Sequence, residues 1–184
     1  MERKRYPFPR PPDGTDGRAI AEAKVQFGGR LRYDHGVTPV TPYLCVPDAK
    51  SAIRWYCDHL GAELLFQQTT EDGRVMHARL SFFGGVVMLS DDFPEWNEGR
   101  AKTPAAYGGS PVSIHLEVPD ADATYGSAVA GGATVAYPLQ DTFWGARYGK
   151  VVCPAGHHWD ISTTKVSMSP EQMAEAAKEW QAQV

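Results

Sequence analysis

The chain has only three cysteines in 184 residues, Cys45, Cys57 and Cys153, and their spacing fits no metal-binding motif. An odd set of thiols builds no disulfide framework, so free, buried thiols in a reducing cytoplasm and no cysteine-based zinc site are predicted. Long apolar runs are missing, which excludes a membrane-spanning helix and argues against a secretory leader. There is no basic excess either: the net charge is −4 and the pI about 5.8. No Lys/Arg stripe interleaved with aromatics offers a track for nucleic acid. A Ser or Cys in a recognisable activated setting is lacking too, leaving nucleophilic catalysis without support. What the chain does have is 42% hydrophobic content over a length sufficient to bury its own core.

Its strongest positive signal is repetition. Val46-Pro47-Asp48-Ala49 opens a segment closed by Gly61-Ala62, and Val118-Pro119-Asp120-Ala121 opens another closed by Gly132-Ala133. In each copy an apolar run (40–46 and 112–118) meets a Pro-Asp helix start, a helical stretch ends at glycine, and strand-like residues follow. Asp48 and Asp120 suit the N-cap position, where a carboxylate accepts from the unpaired amides of the first turn. Ala49, Ala52, Ile53, Tyr56, Cys57 and Leu60 recur at helical spacing and predict one apolar stripe; Ala121, Tyr125, Ala128 and Val129 trace a weaker one. Turn signals at 71–74 and Gly84-Gly85 divide the following residues into three strands. The unit is therefore β-α-β-β-β, and a period near seventy residues is too long for a solenoid.

The predicted class is α+β, with tandem βαβββ modules at 37–90 and 111–164, residues 38–90 corresponding to 111–163. A Gly- and Pro-containing linker spans 91–110. A helix at 169–181 starts at Ser169-Pro170, and its Met173, Ala177 and Trp180 are expected to dock on the core. Residues 1–36 set Arg3, Lys4, Arg5 and Arg10 among Pro7, Pro9, Pro11 and Pro12; such a composition cannot form a core and reads as an arm.

Strand alternation sorts the polar residues. Ser113, His115 and Glu117 share a face, as do His158, Asp160 and Ser162, because side chains two apart point the same way. Trp144, Arg147 and Tyr148 lie in a glycine-bracketed stretch, where an aromatic platform beside a guanidinium could hold a planar or anionic ligand; pairing of Arg147 with Asp141 or Asp160 is the structural alternative. Trp55 and Tyr56 are expected in the core or at an interface, and His59 as a partner of its helix dipole, while His77 and Arg79 share a strand face that turns to either solvent or cavity, with solvent favoured.

Thr41-Pro42-Tyr43-Leu44, Phe143-Trp144-Gly145-Ala146-Arg147-Tyr148-Gly149 and Pro154-Ala155-Gly156-His157-His158-Trp159, set in tandem βαβββ modules, resemble the vicinal oxygen chelate superfamily of glyoxalases, bleomycin-resistance proteins and dioxygenases. Within it the chain is most similar to the phosphonate-operon-associated branch, over roughly residues 37 to 180. The resemblance implies strongly curved sheets that each partly enclose a cavity, completed by homodimerisation, with the arm packing across the partner. It also implies metal ligands at four positions, occupied here by Thr41, Met88, Ser113 and Asp160. Only Asp160 is a strong donor, so the standard site reads as lost. A nonstandard one stays open: with Asp160 facing the cavity, His115 and His158 share its surroundings, and two imidazoles with a carboxylate could hold zinc, iron or manganese.

Two function classes follow. One is a binder without a cofactor, whose pocket draws on Tyr43, Met88, His115, Trp144, Arg147, Tyr148 and Asp160 to capture a small aromatic or antibiotic-like molecule. The other is a divalent-metal lyase, isomerase or dioxygenase acting on a small metabolite. Loss of three of the four ligands favours the binder.

Overall fold

The computed structural model describes residues 40–182, so the arm lies outside the described residues. Asp48 and Asp120 each accept a backbone amide at 3.0 Å, from Ser51 and Ala123. These caps start α1 (Ala49–Leu60) and α2 (Ala121–Ala130). Around α1 stand β1 (Tyr43–Val46), β2 (Ala62–Thr69), β3 (Val75–Phe82) and β4 (Gly85–Asp91); around α2 stand β5 (Ser113–Glu117), β6 (Thr134–Asp141), β7 (Ala146–Val152) and β8 (His158–Thr164). The sheets are ordered β1-β4-β3-β2 and β5-β8-β7-β6, with the first pair in each parallel and the others antiparallel.

The α+β class and the paired βαβββ modules thus match expectation, and the first and last strands of each module pair in the same register. Tyr43 stands opposite Met88 and His115 opposite Asp160, each residue 72 positions from its counterpart. Boundaries differ in detail. The first strands are shorter than the apolar runs, beginning at Tyr43 and Ser113, while β6 continues through Pro138 to Asp141. Register shifts in β2 and β6 mark bulges, which let an outer strand carry proline and increase its twist.

Helix α1 buries Ala49, Ala52, Ile53, Tyr56 and Leu60, as its spacing predicts. The rings of Tyr56, Phe82 and Trp159 meet at 5.1–6.0 Å between centroids, so one core serves both modules. Trp55 Nε1 donates to Gly131 O at 2.8 Å, and His59 Nδ1 lies 3.0 Å from Ser127 Oγ. His59 therefore stands in the last turn as expected, and its ring also engages α2. Two glycines are required by close approach. A Cβ on Gly61, which caps α1 at φ 67°, would lie 2.8 Å from the Phe83 ring; one on Gly149 would lie 2.6 Å from the ring of Tyr125.

One expectation fails. Helix α3 (Pro170–Gln181) forms with its Ser169–Gln172 capping box but buries none of its residues. Met173 and Trp180 remain exposed, and Trp180 meets the rest of the chain through the Phe143 ring at 5.4 Å. The cap and the amphipathic spacing specify a helix; they do not specify a groove to receive it.

Candidate functional site: two open sheet faces

Among the described residues, each sheet has one face covered by its helix and one that no helix covers. Leu44, Val46, Leu80 and Leu89 fill the covered face of the first sheet, which turns Tyr43, Arg79 and Met88 to the open one. Register places Phe66, Arg79, Met88 and Tyr43 in one line across β2, β3, β4 and β1. The same line in the second module reads Tyr137, Lys150, Asp160 and His115. The faces are thus homologous and chemically distinct: aromatic, cation, apolar, aromatic in one; aromatic, cation, acid, imidazole in the other.

A ring pair recurs on both. Tyr43 stacks on His77 at 5.7 Å and 27°, with its hydroxyl 3.2 Å from Nδ1. On the second sheet His115 stacks on Tyr148 at 6.4 Å and 17°. The strands have exchanged the two ring types, but the stack is kept. Burial and the neighbouring Arg79 hold His77 below the usual histidine range, favouring the neutral ring. His77 and Arg79, expected toward solvent, belong to this face. The signal was present in the sequence: a two-residue turn at Phe83-Gly84 pairs Phe82 with Gly85, and counting back sets Arg79 beside Met88.

The second face is polar and largely self-paired. Lys150 Nζ lies 3.2 Å from Asp160 Oδ1, an ion pair not aligned as a hydrogen bond. His115 Nε2 lies 3.6 Å from Glu117 Oε2, and the Thr164 amide donates to Glu117 Oε1 at 2.6 Å. Burial raises the Glu117 carboxyl, but its hydrogen bonds outweigh that and hold it below the usual range. Burial, with the charge of Asp160, pushes the Tyr148 phenol up to about 12, so it stays a neutral hydrogen-bond donor. Trp144, in the β6–β7 turn, packs edge-on against Tyr148 at 5.5 Å.

Of the seven residues predicted for one pocket, Tyr43 and Met88 lie on the first open face, and His115, Tyr148 and Asp160 on the second, bordered by Trp144. Among the described residues, no hydrogen bond, ion pair or ring contact joins the two faces. Arg147 points away from both. It reaches across the covered side to Asp122 on α2 at 2.8 Å and to Asp141 at 3.5 Å, holding the Asp122 carboxyl below its usual range. The stretch from Trp144 to Gly149 is therefore largely architectural: Gly149 admits Tyr125, Arg147 anchors α2, and Tyr148 serves the open face.

Of the four positions implied as metal ligands, Asp160 alone carries a carboxylate or imidazole. Thr41 precedes β1, Met88 offers a thioether, and Asp160 already faces the ammonium of Lys150. His115, His158 and Asp160 share a face, yet among the described residues no three His, Cys, Asp or Glu side chains converge as ligands. The linker adds aromatic walls to the first face: Trp96 and Tyr107 border a cavity of about 510 Å³ that Tyr43, Cys45 and Ser90 also line. His157 joins this cavity from the β7–β8 turn.

A family model described as Glyoxalase/Bleomycin resistance protein/Dioxygenase superfamily matches residues 32–161. An uncharacterized protein of Mycobacterium tuberculosis is 42% identical over 161 residues, covering 86% of this chain and 94% of that relative. Among solved structures, TioX from Micromonospora sp. ML1 is similar at a TM-score of 0.54 and 27% identity, over 72% of this chain and 100% of that one. A bleomycin resistance determinant encoded on the transposon Tn5 shares the fold at a TM-score of 0.50 and 17% identity, over 71% and 100% of the two chains.

Proposed function

The chain belongs to the glyoxalase/bleomycin resistance protein/dioxygenase superfamily, and from that premise we propose that it is a small-molecule-binding protein that captures a planar aromatic ligand without a resident metal. The observation that carries the reading is the Tyr–His stack repeated at equivalent places on both open faces. Tyr43 keeps 54% of its surface exposed. Such rings offer stacking area at little entropic cost. The donor chemistry of Thr41, Met88 and Ser113, and the Lys150 ammonium beside Asp160, support metal-free capture.

The homodimer belongs to the same proposal. Exposed Leu64, Leu65 and Phe66 on the first sheet, with Val135 and Tyr137 on the second, form apolar margins that a second copy would cover. A pocket would then lie between the first open face of one copy and the second open face of the other. Placement in the phosphonate-operon-associated branch rests on the Thr41-Pro-Tyr-Leu, Trp144-to-Gly149 and Pro154-to-Trp159 stretches, and cytoplasmic residence on the three free cysteines.

Calorimetric titration with a neutral aromatic probe, 2-naphthamide, tests the capture. Trp144→Ala and Tyr148→Ala are each expected to weaken binding by about 1 kcal/mol, roughly fivefold, while Asp160→Asn leaves it nearly unchanged. Affinity indifferent to both aromatic substitutions would sink the proposal.

A further inference from the structure

The duplication provides an internal control on charge. Lys150 and Arg79 hold the same place in their sheets, on β7 and β3, each flanked by an aromatic on the outer strand. Beside Lys150 stands Asp160; beside Arg79 stands Met88. The second module neutralises its cation within the sheet and the first does not. Among the described residues, Arg79 is the one Lys or Arg not exposed to solvent that has no carboxylate partner. Its Nε is buried and makes no hydrogen bond.

Nearby acids are committed elsewhere. Asp91 accepts the Ala49 and Val75 amides on the covered side, and Asp92 accepts the Lys102 amide. A guanidinium partly withdrawn from water with an unmet donor is unfavourable unless an anion completes it, and its planar fork matches a carboxylate with two parallel bonds. Its neighbours on the open face are rings: Phe66 across from it, His77 two residues along β3, and Tyr43 beyond Met88.

We infer that the captured ligand is an aromatic acid whose carboxylate is received by Arg79 while its ring lies among Phe66, His77 and Tyr43 of one copy, against the second open face of the other. This inference rests on the capture reading and gives the ligand its chemical class. Arg79 supplies the charge and fork; Met88, in place of the acid found in the other module, leaves that charge free for the ligand.

The test titrates full-length protein with 2-naphthoate and with its neutral analogue 2-naphthamide. Naphthoate should bind about tenfold more tightly, the increment of a charge-assisted pair. Arg79→Met should remove the preference, naphthoate losing far more affinity than naphthamide, and Arg79→Lys should keep part of it. Equal binding of the two probes by the unaltered protein overturns the inference and spares the capture reading. Discrimination that survives Arg79→Met, or is removed by Lys150→Met instead, also overturns it. So does a dimer that dissociates in light scattering on Arg79→Met without any probe preference in the parent, which would assign Arg79 to a carboxylate of a second copy. If the unaltered protein binds neither probe at millimolar concentration, the capture reading fails and this inference with it.

Discussion

Replacing Trp159 with alanine is expected to destabilise the fold by about 3–5 kcal/mol, the range for truncating a fully buried large aromatic. Trp159 has no exposed surface, and its ring meets Tyr56 of α1 at 5.2 Å and Phe82 of β3 at 5.1 Å. A cavity there removes contacts from both modules at once. Urea denaturation should therefore show one transition with a lowered midpoint and both modules lost together. Trp180→Ala is the control: 48% exposed on α3, it should change stability by less than about 1 kcal/mol. A small loss for Trp159→Ala, or two separate transitions, would contradict a shared core.

Asp91→Ala should be comparably damaging, at about 2–6 kcal/mol, because it strands two buried amides that each cost about 1–3 kcal/mol unpaired. Asp91 Oδ1 accepts from Ala49 N at 2.6 Å and Oδ2 from Val75 N at 2.5 Å, tying the end of β4 to the starts of α1 and β3. Asp91→Asn keeps one acceptor oxygen and should recover part of the loss. The equivalent position in the second module is Thr163, whose hydroxyl donates to Val118 O at 2.8 Å. A single clamp of that kind is worth less, so Thr163→Ala should cost about 1 kcal/mol. Equal effects of the Asp91 and Thr163 substitutions in chemical denaturation would remove the two-amide explanation.

The modules were legible because their signals are local. Asp48 and Asp120 cap helices through chemistry confined to one turn, and the α1 stripe follows from its own spacing. The open faces were legible only in part. Tyr43, Met88, His115, Tyr148 and Asp160 follow from strand alternation together with the family's strand positions. Arg79, Lys150 and Phe66 require the register between strands, which hairpin counting gives for Arg79 and Met88 but bulges disturb at β2 and β6. Arg147 was drawn to the ligand by its neighbours in sequence. One residue separates it from the face of Tyr148, and on a strand one residue is the opposite side. Asp91 looked like the start of a polar linker because nothing local shows that its carboxylate turns inward to two amides from elsewhere in the chain.

Metal content tests the central claim most directly. Protein purified without chelator, measured by inductively coupled plasma mass spectrometry, should carry far less than one equivalent of zinc, iron or manganese per chain, and His115→Ala, His158→Ala and Asp160→Asn should leave that value unchanged. One equivalent per chain, lost in those three variants, would contradict metal-free capture and make the second open face a metal centre.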